Sequence, residues 1–196
     1  MRNNQTIKKM IMLAILAALT IIFTYVPIKF GQFQINLALI FIACGAILYG
    51  PIAGLALGVL NGLIVIFNGD AAWFLSLSVF GTVVTVLLKT GLAGLLSGLL
   101  FKLFKNKNRT LAAILAVCIV PLINTSVFVL GCLTFFIDAM AEGASAAEKG
   151  TLSYILTAMV GINFIVEMII NAIISPVIDR VTRIGAKQLG LEENAK

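Results

Sequence analysis

Long apolar stretches separated by short polar connections dominate the sequence, and no alternation of apolar and polar residues extends over ten-residue units. About 20 helical residues cross a hydrocarbon layer of about 30 Å, whereas a transmembrane β-strand needs an alternation of period two. The pattern therefore predicts an all-α integral membrane protein. Its expected transmembrane helices, numbered one to six in chain order, are 10–25, 35–48, 52–67, 79–104, 111–137 and 152–177.

Helices two and three are short, and only residues 49–51 join them. One interpretation is a hairpin that returns to the same side of the membrane, and the other is two tilted crossings. We favour two crossings because Pro51 suits the first turn of a new helix.

The composition supports a lipid environment. Hydrophobic residues make up 61% of the 196 residues and charged residues 11%, against about 45–50% and about 25% in soluble domains. The whole chain, 1–196, is predicted to be a single six-helix domain with a polar cytoplasmic tail at 185–196.

Lys and Arg concentrate on one side of the predicted topology. They precede helix one, crowd the connection between helices four and five, and follow helix six, whereas the other side has Lys29 and Lys149. The positive-inside rule places the basic side in the cytoplasm, and an even number of crossings places both termini there. The net charge of +6 is thus a topology signal, and we expect no nucleic-acid partner.

The sequence offers little for metal binding or acid–base catalysis. It contains no His, and its three Cys residues fall inside predicted helices, where Cys commonly acts as a small hydrophobe. We therefore expect no metal site, no cofactor and no enzymatic activity.

Small residues recur every three or four positions in three helices. In helices three and four they are Gly50, Gly54, Gly58 and Gly62, then Gly91, Gly94 and Gly98. Such spacing lets helix backbones approach closely. The glycines indicate internal packing or, alternatively, a docking face for another membrane subunit; Ala14 and Ala18 form a similar pair in helix one.

Polar side chains interrupt the apolar helices at middle depth. Asn163, Glu167 and Asn171 recur every four residues and therefore share one stripe of helix six. Lys89 lies about as deep in helix four, at roughly 15 Å from its outer end. An unpaired charge at mid-membrane costs about 2.5–3.5 kcal/mol, so Lys89 and Glu167 pair with each other, face a polar ligand in a wet pocket, or leave Glu167 neutral.

Further candidates lie on neighbouring helices and outer loops. Asn124 follows Pro121 in helix five, where a kink serves either a cavity or packing, and Asn61 lies in the outer half of helix three. Asp70 and Trp73 fall in the outer connection 68–78; Trp73 is an interface anchor or a lid that stacks on a ligand ring. Phe135 and Phe136 end helix five and are interpreted as interface anchors.

A P-loop motif is absent, so the chain cannot cradle ATP phosphates in that way. The basic N-terminus leading into MIMLAILAAL (10–19), the stretch ILYGPIAGLALGVLNG (47–62), the small size and the six helices resemble the substrate-binding S components of energy-coupling factor (ECF) vitamin transporters. The resemblance covers residues 7–185.

The resemblance implies a high-affinity binding subunit for a water-soluble vitamin or related micronutrient, with a weak preference for a pantothenate-like or riboflavin-like molecule. It implies docking, through Ala14 and Ala18, on a transmembrane T component that carries two cytoplasmic ATPases. It also implies location in the plasma membrane of a bacterium. The family pocket maps onto these substrate-binding candidates: Lys89, Asn124, Asn163, Glu167, Asp70, Trp73 and Asn61.

Three other hypotheses stay open at this point. The first is a stand-alone secondary transporter of a small polar metabolite, although the two halves show no clear inverted repeat, which is the usual construction of such proteins. The second is an integral membrane enzyme. The third is a structural membrane subunit that binds no small molecule.

Overall fold

The computed structural model describes residues 2–26, 28–30 and 33–191, with the backbone alone for 2–4, 28–30 and 33–35. The side chains of Arg2 and Lys29 and the tail residues 192–196 lie outside this description. In chain order the elements are α1 (Arg2–Tyr25), β1 (Ile28–Phe30), β2 (Phe33–Ile35), α2 (Ala38–Tyr49), α3 (Pro51–Phe67), α4 (Ala72–Leu77), α5 (Val79–Phe104), α6 (Arg109–Phe135), α7 (Ile137–Ala146), α8 (Thr151–Tyr154), a π-helical segment (Ile155–Val160) and α9 (Gly161–Gln188).

All six predicted helices are present, the sixth as α8, the π-helical segment and α9 in succession. Among the described residues, four helical stretches are long and apolar enough to cross a membrane: Gln5–Tyr25, Val79–Phe104, Arg109–Phe135 and Thr151–Gln188. Helices α2 and α3 are shorter. The fold is thus essentially all-α, and a small antiparallel hairpin of β1 and β2 lies in the connection after α1.

Local sequence signals set several helix boundaries. Ser78 caps α5 by accepting a hydrogen bond from the Gly81 N–H, and Asn108 caps α6 by accepting one from the Leu111 N–H. Such caps satisfy amide groups that the first turn leaves unpaired. The sharp turn between α2 and α3 uses Gly50 at φ 91°, where a side chain is strained, followed by Pro51 in the first helical turn.

Helix α2 forms the centre of the bundle. Nine of its 12 residues are buried, and Leu39, Ile42, Ala43 and Ala46 are fully enclosed. At 1.5 Å per residue the helix is only about 18 Å long, shorter than the hydrocarbon layer. Because its neighbours cover it on all sides, α2 is apolar all round without facing lipid.

The glycine repeats pack α3 against α5, which confirms the internal-packing interpretation. A β-carbon on Gly54 would collide with the backbone of Gly94, and one on Gly58 would collide with the backbone of Thr90. Gly98 similarly faces Pro51. Because glycine has no side chain, the two helix backbones touch at these positions. Such close contact strengthens the dispersion attraction between helices, which in a membrane have no hydrophobic driving force to associate.

Two parts of the chain are more ordered than the sequence analysis predicted. The helix expected to end at 177 continues to Gln188, and Gly185, Ala186 and Leu189 are buried, so the first residues of the expected polar tail pack against the bundle. The outer connections contain the short helices α4 and α7. The extension of α9 and the formation of α7 follow from burial of small and apolar residues against neighbouring helices, whereas α4 has no buried residue.

An ion-pair cluster joins the start of α6 to the end of α9. Asp179 is only 5% exposed, and its carboxylate lies 3.1 Å from Arg183 Nη2 and 3.7 Å from Arg109 Nε. Thr110 Oγ1 donates a hydrogen bond to the same carboxylate over 3.0 Å. The two helices are therefore tied together at the end of the bundle that carries most of the Lys and Arg residues.

Candidate functional site

A cavity of about 260 Å³ lies at the other end of the bundle. A second chamber of about 190 Å³ adjoins it, and Lys89, Asn124, Phe128, Asn163 and Glu167 line both. Small-molecule pockets are typically about 300–1,000 Å³, so the adjoining chambers suit a small ligand. The first chamber is lined by Asn36, Val65, Asp70, Ala71, Phe74, Thr82, Thr85, Val86, Lys89, Asn124, Phe128, Phe136, Asn163 and Glu167.

Helical spacing explains how three long helices supply the polar lining. Thr82, Thr85 and Lys89 are three and four residues apart in α5, so they share one face. On α9 the same rule aligns Asn163 with Glu167, and both residues line the cavity. The third, Asn171, is buried below them, and its side-chain amide donates to the Glu167 carbonyl over 2.8 Å.

Lys89 and Glu167 line the same chambers without forming a close ion pair. Among the described residues, no contact shorter than 4.0 Å joins the Lys89 ammonium to the Glu167 carboxylate. The Lys89 ammonium instead lies 5.3 Å from the centre of the Phe128 ring. The arrangement favours the ligand-facing interpretation over direct pairing.

Among the described residues, one hydrogen bond holds the Glu167 carboxylate. It is 8% exposed, and Glu167 Oε1 accepts a hydrogen bond from the backbone N–H of Asn36 over 3.3 Å. Asn36 itself is anchored because its side chain accepts a hydrogen bond from the Ala38 N–H at the start of α2. A carboxylate has about four lone-pair sites, so Glu167 retains acceptor capacity toward the cavity.

Two buried polar atoms in the lining lack hydrogen-bond partners among the described residues. They are Thr85 Oγ1 on α5 and Asn124 Oδ1 on α6. An unsatisfied buried polar group costs about 1–3 kcal/mol, so such atoms in a native protein require an explanation. Both residues line the cavity.

Aromatic rings form the apolar wall of the cavity. The Phe74 ring meets Phe128 and Phe136 edge-on, with centroid distances of 5.5 Å and 5.0 Å. Phe136 is 3% exposed and lines the chamber, so its interpretation as an interface anchor was wrong. Phe135 is 40% exposed.

The remaining sequence candidates occupy different positions. Asp70 is exposed at the cavity rim, where Asn68 Nδ2 donates to its carboxylate over 2.7 Å. Trp73 is 49% exposed and packs on Phe74 outside the lining. Asn61 is fully buried and also lies outside the lining; Thr24 Oγ1 donates to Asn61 Oδ1 over 2.6 Å. Ala14 and Ala18 are exposed on α1.

Sequence reasoning missed several lining residues. Thr82 and Thr85 were detectable, because they share a helical face with Lys89, and Phe128 lies one turn after Asn124. The position of Asn36 had no comparable signal, since its backbone N–H carries the contact. Among the described residues, no group of three or more His, Cys, Asp or Glu side chains is arranged to hold a metal ion.

A comparison with protein-family models matches residues 8–178 to the ECF transporter, substrate-specific component. Comparisons with curated proteins and with solved structures give no match. The family match spans most of the chain, confirms the resemblance found in the sequence, and agrees with an apolar helical bundle around a polar cavity. The chain therefore belongs to the family of ECF transporter substrate-specific components, which are membrane-embedded substrate-binding transport proteins and not enzymes.

Proposed function

We propose that the protein captures a water-soluble vitamin or related micronutrient from outside the cell with high affinity. The observation that carries the proposal is the lining of the cavity, where Lys89, Glu167, Thr85 and Asn124 converge among apolar helices. Isolated polar groups are costly in a membrane. A bound polar molecule offsets that cost, whereas a purely structural subunit has no use for the hollow.

The direction of capture rests on the distribution of charge. Lys102 and Arg109 flank the connection between α5 and α6, and Arg183 and Lys187 lie near the end of α9. The cavity lies at the opposite ends of the same helices. With the basic side in the cytoplasm, the cavity opens to the exterior of a bacterial plasma membrane, both termini are cytoplasmic, and six helices cross, α2 and α3 as short inner crossings.

Release of the substrate requires an energy source that the chain does not itself contain. Membership of the ECF family supports association with a transmembrane T component and two cytoplasmic ATPases. Ala14 and Ala18 present small side chains on the exposed surface of α1. A partner helix can approach closely there, which makes this surface the proposed docking face. The substrate contacts are assigned to Lys89, Asn124, Asn163 and Glu167, with Asp70 at the rim and Trp73 as an outer cover.

The test is purification of the full chain in detergent, incubation with a soluble-metabolite extract of bacterial cells, and mass spectrometry of what stays bound. One water-soluble molecule retained in stoichiometric amount is expected, and the Lys89→Ala variant should retain far less. Retention of no small molecule would refute the binding role. Uptake into vesicles should require the T component and ATP; uptake by the chain alone under an ion gradient would instead identify a secondary transporter.

A further inference from the structure

An amine and a carboxyl group line the cavity without contacting each other directly. Lys89 on α5 and Glu167 on α9 both line the two adjoining chambers, but no contact shorter than 4.0 Å joins them among the described residues. The space between them is part of the cavity. A molecule that enters this space meets a cation on one wall and a carboxylate on another.

Each charge has unused hydrogen-bonding capacity. The Lys89 ammonium can donate three hydrogen bonds, and its described contact is the face of Phe128. Glu167 receives one backbone hydrogen bond, from Asn36. A guest that satisfies Lys89 alone would displace water from Glu167 and leave the carboxylate poorly solvated, which is costly in a low-dielectric site. The converse holds for a guest that satisfies Glu167 alone.

The rest of the lining constrains the body of the guest. The rings of Phe74, Phe128 and Phe136 form one continuous wall, which suits a flat ring in offset or edge-on contact. Thr85 Oγ1 and Asn124 Oδ1 add unpartnered polar atoms beside that wall. The lining thus combines an apolar slot with a cation and an anion.

We infer that the substrate is a ring-bearing molecule that carries both an anionic group, which Lys89 binds, and a hydrogen-bond donor, N–H or O–H, which Glu167 binds. This inference rests on the proposed binding function and names the chemical class of the substrate. It separates this class from simple acids that carry no donor, because such molecules leave Glu167 without a partner. A site built to hydrogen-bond a substrate group rejects analogues that lack it by factors of up to about 10⁴–10⁵.

The experiment uses the molecule that mass spectrometry identifies and two derivatives of it, one with the acid esterified and one in which methyl replaces every hydrogen of the donor group. Dissociation constants are measured for the wild-type chain, Lys89→Met and Glu167→Gln. The ester should bind the wild type at least about ten-fold more weakly, and this loss should largely disappear in Lys89→Met. Methylation of the donor should likewise weaken binding to the wild type but matter little in Glu167→Gln. Such non-additivity identifies a direct pair.

Failure of the inference differs from failure of the proposed function. A retained molecule that lacks an acid or lacks a hydrogen-bond donor, or derivatives that bind all three proteins with equal relative losses, would overturn the assignment of Lys89 and Glu167 while leaving a binding subunit in place. Absence of any retained molecule would overturn both. Asp138→Asn serves as a control, because Asp138 is exposed and outside both chambers, so its removal should leave all three dissociation constants unchanged.

Discussion

Asn36 and Glu167 lie 131 positions apart in the chain and meet at the cavity, where the Asn36 N–H donates to Glu167 Oε1 over 3.3 Å. The contact joins the segment that leads into α2 to the second turn of α9. Since the donor is a backbone group and the acceptor also lines the cavity, one carboxylate serves both the fold and the proposed site.

We predict that two substitutions of Glu167 separate these roles. Glu167→Gln keeps an oxygen that accepts from Asn36 but removes the charge, so the melting temperature should stay close to that of the wild type. Hydrogen bonds to charged groups contribute about 1.5–3 kcal/mol, so the dissociation constant should rise about 10- to 150-fold. Glu167→Ala should lose affinity and also melt earlier. Calorimetry in detergent measures the dissociation constant, and thermal unfolding measures the melting temperature. A wild-type dissociation constant in Glu167→Gln would contradict the proposed contact between Glu167 and the substrate.

Asn61 should behave as a structural residue although the sequence suggested a binding role. Its side chain is fully buried and bonded to Thr24 across two helices, and interhelical hydrogen bonds in membranes contribute about 0.6–2 kcal/mol. Asn61→Ala should lower the melting temperature while leaving the dissociation constant within about two-fold of the wild type. Asn124→Ala, which removes an unpartnered cavity atom, should show the opposite pattern. Loss of affinity in Asn61→Ala alone would reverse these assignments.

The sequence predicted the positions of the long helices more accurately than the ends of the chain's last helix. The apolar run 79–104 coincides with α5, because lipid exposure demands an uninterrupted apolar helix and the caps are local. The boundaries at the other end of the chain shifted, because burial of Leu189 depends on tertiary contact. No local pattern separates a helix end that packs against the bundle from one that enters water.

The sequence also predicted only part of the candidate site. Lys89, Asn124, Asn163 and Glu167 were found because a polar group at middle depth stands out against apolar neighbours. Asn61 met the same criterion, yet it pairs with Thr24 instead of lining the cavity. Depth along a helix can be counted from sequence, whereas the direction in which a side chain points depends on how the helices rotate against each other.

Alanine at Gly54 should be far more harmful than alanine at Gly91. A β-carbon on Gly54 would collide with the Gly94 backbone, which cannot move without separating α3 from α5. On Gly91 it would meet only the side-chain tips of Leu55 at 3.2 Å and Val59 at 3.3 Å. Overpacking typically costs about 1–3 kcal/mol, so Gly54→Ala should melt clearly below Gly91→Ala. Equal melting temperatures would indicate that the helices can separate freely.

Leucine at Ala14 or Ala18 should abolish uptake without weakening substrate binding. Both alanines are exposed on α1 and lie outside the cavity lining, so a larger side chain obstructs a partner helix while the pocket is unchanged. The measurements are ATP-dependent uptake with the T component and ATPases, and the dissociation constant of the purified chain. Ala172→Leu, the same substitution at an exposed position of α9, is the matched control. Normal uptake in both α1 variants would refute the docking face.

Neutralising Asp179 should destabilise the bundle but leave substrate affinity unchanged. Asp179→Asn removes the charge that holds Arg109 and Arg183 at the junction of α6 and α9, while Thr110 can still donate to the amide oxygen. Because Asp179 is only 5% exposed, the loss should exceed that of a surface pair, and we expect about 1–3 kcal/mol. Thermal unfolding should show the decrease in Asp179→Asn and none in Arg180→Gln, since Arg180 is exposed. A higher dissociation constant in Asp179→Asn would mean that the junction of α6 and α9 is coupled to the cavity at the other end of the same two helices.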